Sequence, residues 1–137
     1  MGPGEPMPIK VLVADDTEIV RRAIIRFLKE HPEIQLVGEA ADFSQAARMA
    51  EELKPHVIVM DLHMPHTSRE GDAVGEMKAH LNDDSHVLAI SLASDPESKA
   101  LAARFGATVL LNKMNLFDEL IPAIMKLASR DGETSGE

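Results

Sequence analysis

Five polar residues stand where short apolar segments of the sequence end. They are Asp15 and Asp16 after KVLVA, Asp61 at the end of HVIVMD, Ser91 at the end of HVLAIS and Lys113 at the end of ATVLLNK. Carboxylates that are held close together repel one another, so they take up protons or share a cation. With oxygen ligands alone this cation is a hard one, and Mg²⁺ commonly binds one or two carboxylates, waters and phosphate oxygens. If the fold gathers these groups, they form a magnesium-dependent phosphoryl site.

Each of these residues has a candidate role in such a site. Asp61 is the candidate nucleophile, because a buried strand is a rigid mount for a carboxylate that takes a phosphoryl group. Lys113 supplies positive charge to one phosphoryl oxygen, and the Ser91 hydroxyl donates a hydrogen bond to another. Taken singly, Asp15 and Asp16 are also good helix caps, and the other three suit a turn, a loop and a solvated surface. The combination favours the phosphoryl site.

The apolar pattern predicts five strands that alternate with five helices. The strands are KVLVA, IQLVGEA, HVIVMD, HVLAIS and ATVLLNK, and the helices span about 17–30, 44–53, 71–81, 96–105 and 116–129. Parallel strands need helical crossovers, and continuously apolar strands are typical of a sheet covered on both faces. The predicted fold is therefore α/β, a doubly wound parallel sheet, whose ligands bind beyond the carboxyl ends of the strands.

Two helices carry more detailed expectations. In the first, Ile19 belongs to the apolar stripe that packs on the sheet, whereas Arg21 and Arg22 lie off that stripe on the solvent side. In the last, Pro122 would be costly in the interior, so the regular helix is predicted to start near Asp118 with the proline in its first turn.

Composition restricts the possible classes of function. The chain has 137 residues, a formal net charge of -9 and neither Trp nor Tyr, which argues against binding a phosphate backbone or stacking on bases. The absence of Cys excludes disulfides and thiolate catalysis. The longest apolar runs fall short of the roughly 20 residues of a membrane helix, and MGPGEPMPIK is unlike a secretory signal. We expect a cytoplasmic protein that binds other proteins rather than nucleic acid or membrane.

The ends of the chain differ from its middle. Residues 1–8 are rich in Gly and Pro, which predicts a flexible N-terminal tail, and 130–137 are polar, which predicts a disordered tail or linker remnant. One folded domain is expected over 9–129.

With these residues placed, the chain resembles the receiver domain of two-component response regulators over nearly the whole predicted domain. VLVADD, VIVMDLHMP, AIS and LLNK match in order and spacing the acidic pair, phosphoacceptor strand, hydroxyl position and lysine of that family. IKVLVADDTEIVRRAI followed by VGEAAD particularly resembles the receivers of LuxR-type regulators. The resemblance implies a flavodoxin-like (βα)5 sandwich with strand order 2-1-3-4-5.

The resemblance also implies how the site works. Asp61 accepts phosphate from a sensor histidine kinase, a phosphotransfer protein or a small phosphodonor. Asp16, Asp61 and the backbone carbonyl of His63 bind Mg²⁺ directly, and Asp15 acts mostly through water. Such a domain is a signalling phosphoacceptor rather than an enzyme.

The family acts as a switch, which implies contacts for the remaining residues and partners for the domain. Ser91 and Lys113 contact the phosphoryl group, and the face made by the fourth helix, fifth strand and fifth helix is re-formed for an effector domain or protein. A receiver of this kind is a monomer or a phosphorylation-dependent dimer.

Four positions depart from the family pattern. Gly71 comes about two residues late in the loop after the phosphoacceptor strand, and Leu110 replaces the usual switch aromatic. Leu92, bulky where a small residue is usual, is expected to narrow access to Asp61 and slow phosphoryl exchange. Met114 replaces a proline that often has a cis bond. These departures motivate the alternative of a receiver-like protein-binding module that is not productively phosphorylated.

Other functions fit the sequence less well. His63 and His66 form an H-x-x-H pair, but two loop histidines lack the ligand count of a structural zinc site. A phosphatase of the haloacid-dehalogenase type needs a second acid two residues after its nucleophile, where this chain has His63. A flavin carrier of the same architecture needs Ser/Thr-rich phosphate loops and aromatic stacking partners, and neither is visible.

Overall fold

The computed structural model describes residues 8–64, 73–81, 84–92 and 95–136, the stretch 130–136 as backbone. Strands and helices alternate along these residues, with a 3₁₀ turn at Lys113–Asn115 before the last helix. The elements are β1 Ile9–Ala14, α1 Glu18–Lys29, β2 Ile34–Ala40, α2 Phe43–Leu53, β3 Val57–Asp61, α3 Ala73–His80, β4 His86–Ser91, α4 Pro96–Arg104, β5 Val109–Asn112 and α5 Leu116–Gly136. The strands form one parallel sheet in the order β2-β1-β3-β4-β5, which confirms the predicted fold.

Both faces of the sheet are covered, and β3 shows why its sequence is apolar throughout. Ile58 and Met60 point into a core shared with α2, α3 and α4, whereas Val57 and Val59 point into a second core shared with α1 and α5. All four side chains are fully buried. A strand covered on both faces has no solvent side on which a polar residue would be favoured, so Asp61 stands out at its end.

Side chains of α2 pack directly over β2 at Gly38. The register between β1 and β2 shifts by one residue here, because Val11 is paired with Leu36 and Leu12 with Gly38. A Cβ atom on Gly38 would stand 2.7 Å from Cε of Met49. A side chain at this position would therefore displace the end of Met49.

Helix α5 differs from the prediction at both ends. It begins at Leu116 rather than near Asp118, so Pro122 lies inside the helix, and its backbone remains helical to Gly136 rather than ending at about Ser129. A proline in a helix interior costs roughly 3 kcal/mol. Burial of the apolar side chains on this helix offsets that cost; they are Leu116, Leu120, Ile124 and Leu127.

The structure differs from two further expectations, and some predicted features lie outside the described residues. Ile19 was expected to pack on the sheet, but it is exposed, because it lies in the first turn of α1 beyond the end of β1. Lys113 begins the 3₁₀ turn instead of ending β5. Residues 1–7, His66 and Gly71 lie outside the described residues. Within those residues, no helix is long and apolar enough to cross a bilayer.

Candidate functional site

The order of the strands brings the predicted site residues to one edge of the sheet. Asp15 directly follows β1, Asp61 and Ser91 end β3 and β4, and Lys113 directly follows β5. Strand β3 pairs with β1 on one side and β4 on the other, so Asp61 lies in the middle of this edge.

Three carboxylates meet there. Asp15, Asp16 and Asp61 each offer one oxygen, and these oxygens all lie within 4.8 Å of one another. Asp15 is fully buried and the side chain of Asp61 is 5% exposed, whereas Asp16 is exposed. Buried carboxylates at such separations need a compensating cation, because neither water nor the sheet neutralises them.

Lys113 supplies one positive charge to this cluster. Its Nζ lies 2.9 Å from Oδ2 of Asp15 and 3.3 Å from Oδ2 of Asp61, and its side chain is only 12% exposed. Burial alone would lower the pKa of Lys113, but the close contact with Asp15 and the charges of both carboxylates outweigh it and raise the pKa. The ammonium group therefore stays protonated and serves as a built-in counter-ion.

Both oxygens of Asp61 are engaged, yet its charged form is disfavoured. Oδ1 accepts a hydrogen bond from the backbone N–H of His63 at 3.0 Å, and Oδ2 faces Lys113. Burial raises the pKa of Asp61, with a further rise from the charge of Asp15, and these effects exceed the lowering caused by His63 and Lys113. A cation that joins Lys113 beside Asp61 would therefore favour the ionised carboxylate.

The buried acceptor on Asp15 provides a test of whether a metal ion fits. Oδ1 of Asp15 accepts a hydrogen bond from the N–H of Thr17 at 2.8 Å. Oδ2 accepts no well-directed hydrogen bond from the described residues, although Lys113 lies close enough for an ion pair. A buried oxygen with spare acceptor capacity, beside two further carboxylates, is the environment that a hard divalent cation satisfies. The donor set therefore fits Mg²⁺.

Ser91 and His63 also lie beside Asp61, but position alone assigns neither of them a role. Ser91 is fully buried one residue beyond Ile90, which is paired with Asp61 across the β3–β4 ladder. The side chain of His63 is exposed, and it is the backbone of this residue that contacts Asp61. The metal-binding role of the His63 carbonyl and the phosphoryl contact of Ser91 stay predictions.

The departures from the expected pattern that fall on described residues lie around this site. Leu92 is 69% exposed, so its side chain stands largely in solvent instead of packing over Asp61, and its effect on phosphoryl exchange stays a prediction. Met114 is exposed as well, and its N–H donates to Oδ1 of Asn112 at 2.8 Å. A proline at this position has no N–H for that bond. Leu110 is half-buried against the α4 side of the sheet.

Arg21 is a site-adjacent residue that the sequence pattern misplaced. It was expected on the solvent side of α1, but its side chain is 14% exposed. Its Nε donates to Oε1 of Glu39, and its Nη1 donates to the backbone carbonyl of Asp15, both at 2.8 Å. The local sequence contains no signal for these contacts, because the adjacent Arg22 has the same context in α1 and is 59% exposed.

Comparison with known proteins agrees with this geometry. Residues 11–125 match the family model described as the response regulator receiver domain. The chain is 32% identical over 115 residues, 82% of its length, to the uncharacterized transcriptional regulatory protein YhcZ of Bacillus subtilis.

Two solved structures show the same fold. The signal receiver domain of the response regulator NarL from Mycobacterium tuberculosis superposes with a TM-score of 0.78 at 27% identity, covering 90% of this chain and 98% of that one. A LuxR-family two-component response regulator from Aurantimonas sp. superposes with a TM-score of 0.76 at 26% identity, covering 89% and 86%. The chain spans about half or less of the length of the curated relatives it matches, such as 52% of YhcZ.

Proposed function

The chain belongs to the family of response regulator receiver domains, and from this premise we propose that it is a two-component phosphoacceptor that takes a phosphoryl group on Asp61. The observation that carries the proposal is the position of the Lys113 ammonium between two carboxylates. Its nitrogen lies within 3.3 Å of an oxygen of Asp15 and of an oxygen of Asp61. Asp61 supplies the acceptor oxygen and Lys113 supplies a positive charge beside it, from separate parts of the chain. Phosphoryl transfer to a carboxylate requires this arrangement.

In the proposed reaction a carboxylate oxygen of Asp61 attacks the phosphorus atom of the donor. The new bond joins that oxygen to phosphorus. The bond from phosphorus to the donor atom breaks, and its electron pair leaves with that atom, the imidazole nitrogen of a phosphohistidine or the acetate oxygen of acetyl phosphate. Lys113, and Mg²⁺ when bound, would favour the ionised form of Asp61, which is the form that attacks.

Asp15, Asp16 and Asp61 are the residues that would hold Mg²⁺, with the backbone carbonyl of His63 as a further ligand. When bound, Mg²⁺ neutralises the negative charge of the phosphoryl group as it approaches the carboxylate. Asp15 also keeps Lys113 near the acceptor, since the ammonium lies between the two buried acids.

After transfer, the phosphoryl oxygens offer Lys113 and Ser91 new charge-assisted partners. Lys113 exchanges part of its contact with the carboxylates for one phosphoryl oxygen, and the Ser91 hydroxyl donates to another. The resulting shift of population re-forms the face of α4, β5 and α5 for an effector domain or protein. A histidine kinase or a phosphotransfer protein is the proposed phosphodonor, and a cytoplasmic location follows from that partner.

Phosphorylation is tested by incubating the protein with Mg²⁺ and acetyl phosphate and measuring its intact mass. We expect a mass increase of one phosphoryl group, lost in Asp61→Asn and in the presence of EDTA. Asp118→Asn is the matched control, because Asp118 is an exposed aspartate in α5 and should leave labelling unchanged. A parent protein that gains no phosphoryl mass would favour the protein-binding module over the phosphoacceptor.

A further inference from the structure

The guanidinium group of Arg21 connects α1 to β2 and to the acidic pair that follows β1. One nitrogen donates to Glu39 near the end of β2, and a second donates to the backbone carbonyl of Asp15, each over 2.8 Å. A guanidinium presents several donors in a fixed fork, so it can hold two acceptors in a defined relation. The carbonyl that it holds belongs to the peptide bond between Asp15 and Asp16.

Asp15 is held at two further points, through its own N–H and its side chain. The N–H of Asp15 donates to the carbonyl of Ala40 at 3.0 Å, and its Oδ1 accepts from the N–H of Thr17. Because a peptide unit is planar, fixing the Asp15 carbonyl also fixes the N–H of Asp16 and limits the direction in which the Asp16 side chain leaves the backbone. Asp16 is exposed, so its backbone has a large part in aiming its carboxylate.

We propose that Arg21 is a positioning residue for the metal site, which holds Asp15 and Asp16 in the orientation that Mg²⁺ needs. This inference rests on the proposed function, since it assigns a support to the acids of that site. Arg21 acts through the backbone and touches neither the metal nor the phosphoryl group. Groups that orient metal ligands in this way typically affect metal affinity by about 10- to 100-fold when removed.

The charge of Arg21 does not explain its position. A cation beside a metal site repels Mg²⁺, and Glu39 compensates this by accepting from the same guanidinium. Removing the positive charge alone would therefore favour metal binding slightly. A loss of Mg²⁺ affinity on removal of Arg21 thus reports the hydrogen bond to the carbonyl and not the charge.

The neighbouring arginine provides a matched control. Arg22 is 59% exposed, and its Nε lies 3.9 Å from Oε1 of Glu39. Arg21→Met and Arg22→Met remove the same charge from adjacent positions of α1, but only the first removes the donor to the Asp15 carbonyl. Arg21→Lys keeps the charge, although a single ammonium group cannot reproduce the fork of donors.

The experiment titrates each full-length variant with Mg²⁺ and follows binding by amide NMR shifts and by the rise in thermal midpoint. We expect Arg21→Met to bind Mg²⁺ about tenfold or more weakly, Arg21→Lys to recover part of the loss and Arg22→Met to stay within about twofold of the parent. Without metal, the amide nitrogen resonance of Asp16 should shift in Arg21→Met and not in Arg22→Met.

The outcomes separate this inference from the proposed function. Parent-like Mg²⁺ affinity in Arg21→Met, or an equal loss in Arg22→Met, would overturn the positioning role while leaving phosphorylation of Asp61 intact. A parent that binds no Mg²⁺ would overturn both the positioning role and the metal dependence of the proposed reaction. If Arg21→Met does not fold, Arg21→Lys decides, because parent-like affinity in that variant contradicts the need for the fork.

Discussion

The ammonium nitrogen of Lys113 lies 2.9 Å from the buried Oδ2 of Asp15, nearer than its 3.3 Å distance from Asp61. In this state the lysine is principally the counter-ion of a residue that is not the phosphoacceptor. Any process that brings Lys113 to a phosphoryl group must therefore weaken its ion pair with Asp15, and this costs free energy.

Lys113→Met should destabilise the metal-free protein strongly. The substitution leaves Asp15 and Asp61 buried without their cation, and breaking a buried ion pair costs about 3–5 kcal/mol. Urea unfolding in EDTA at neutral pH measures the change, with exposed Lys99→Met as the control. The raised pKa of Lys113 means that the pairing stabilises the fold below the ordinary value of 10.5 and is lost as the pH rises through the folded value. A loss no larger than that of Lys99→Met would contradict the counter-ion role.

Asp61→Asn should stabilise the metal-free protein at neutral pH. The pKa of Asp61 is raised in the folded state, so the folded protein binds this proton more tightly than the unfolded chain and loses stability as the pH rises from 3.8 through the folded value. The amide removes a charge that is disfavoured there by burial and by Asp15. Thermal unfolding in EDTA should show a higher midpoint for the variant at pH 7 and a shrinking gain towards pH 3.8. An equal midpoint at pH 7 would argue that Lys113 fully compensates Asp61.

Gly38→Ala should cost about 1 kcal/mol, the low end for overpacking, because the new methyl group would lie 2.7 Å from Cε of Met49, the end of a flexible side chain that can move aside. The cost should be smaller in a Met49→Ala background, where the obstructing atom is absent, and a double-mutant cycle by urea unfolding measures this coupling. Additive effects of the two substitutions would show that the contact is not the cause.

Nδ1 of His56 should be the imidazole nitrogen that carries no proton. It accepts a hydrogen bond from the backbone N–H of Lys10 at 2.9 Å, and an acceptor nitrogen carries no proton. Nitrogen-15 NMR of the imidazole at neutral pH tests the tautomer directly. His56→Ala should cost about 1–3 kcal/mol, since the Lys10 N–H loses its acceptor. A protonated Nδ1 would contradict the bond.

The strands and the shared edge were predictable because their signals are local and agree with one another. The five predicted strands are all present, and Asp15, Asp61, Ser91 and Lys113 fall at their carboxyl ends or one residue beyond. A continuously apolar strand such as β3 has one stable environment, a sheet covered on both faces, so its sequence specifies its surroundings.

The errors arose where tertiary contacts decide. Pro122 signals a helix start by local rules, yet packing of Leu120 and Ile124 on the sheet makes an interior proline tolerable. Helical periodicity placed Arg21 with the solvated residues. A periodic pattern within one helix contains no information about acceptors from other elements, here Glu39 and the Asp15 carbonyl. Ile19 illustrates the converse, since it belongs to the apolar stripe and yet is 82% exposed beyond the end of β1.

The central place of β3, hydrogen-bonded to β1 and to β4, has a consequence for how such a domain can change over time. The acceptor Asp61 is placed by main-chain ladders that do not depend on which side chains the helices present outward. The outward-facing side chains of the helices can therefore change to suit other binding partners without moving the phosphoacceptor at the end of β3.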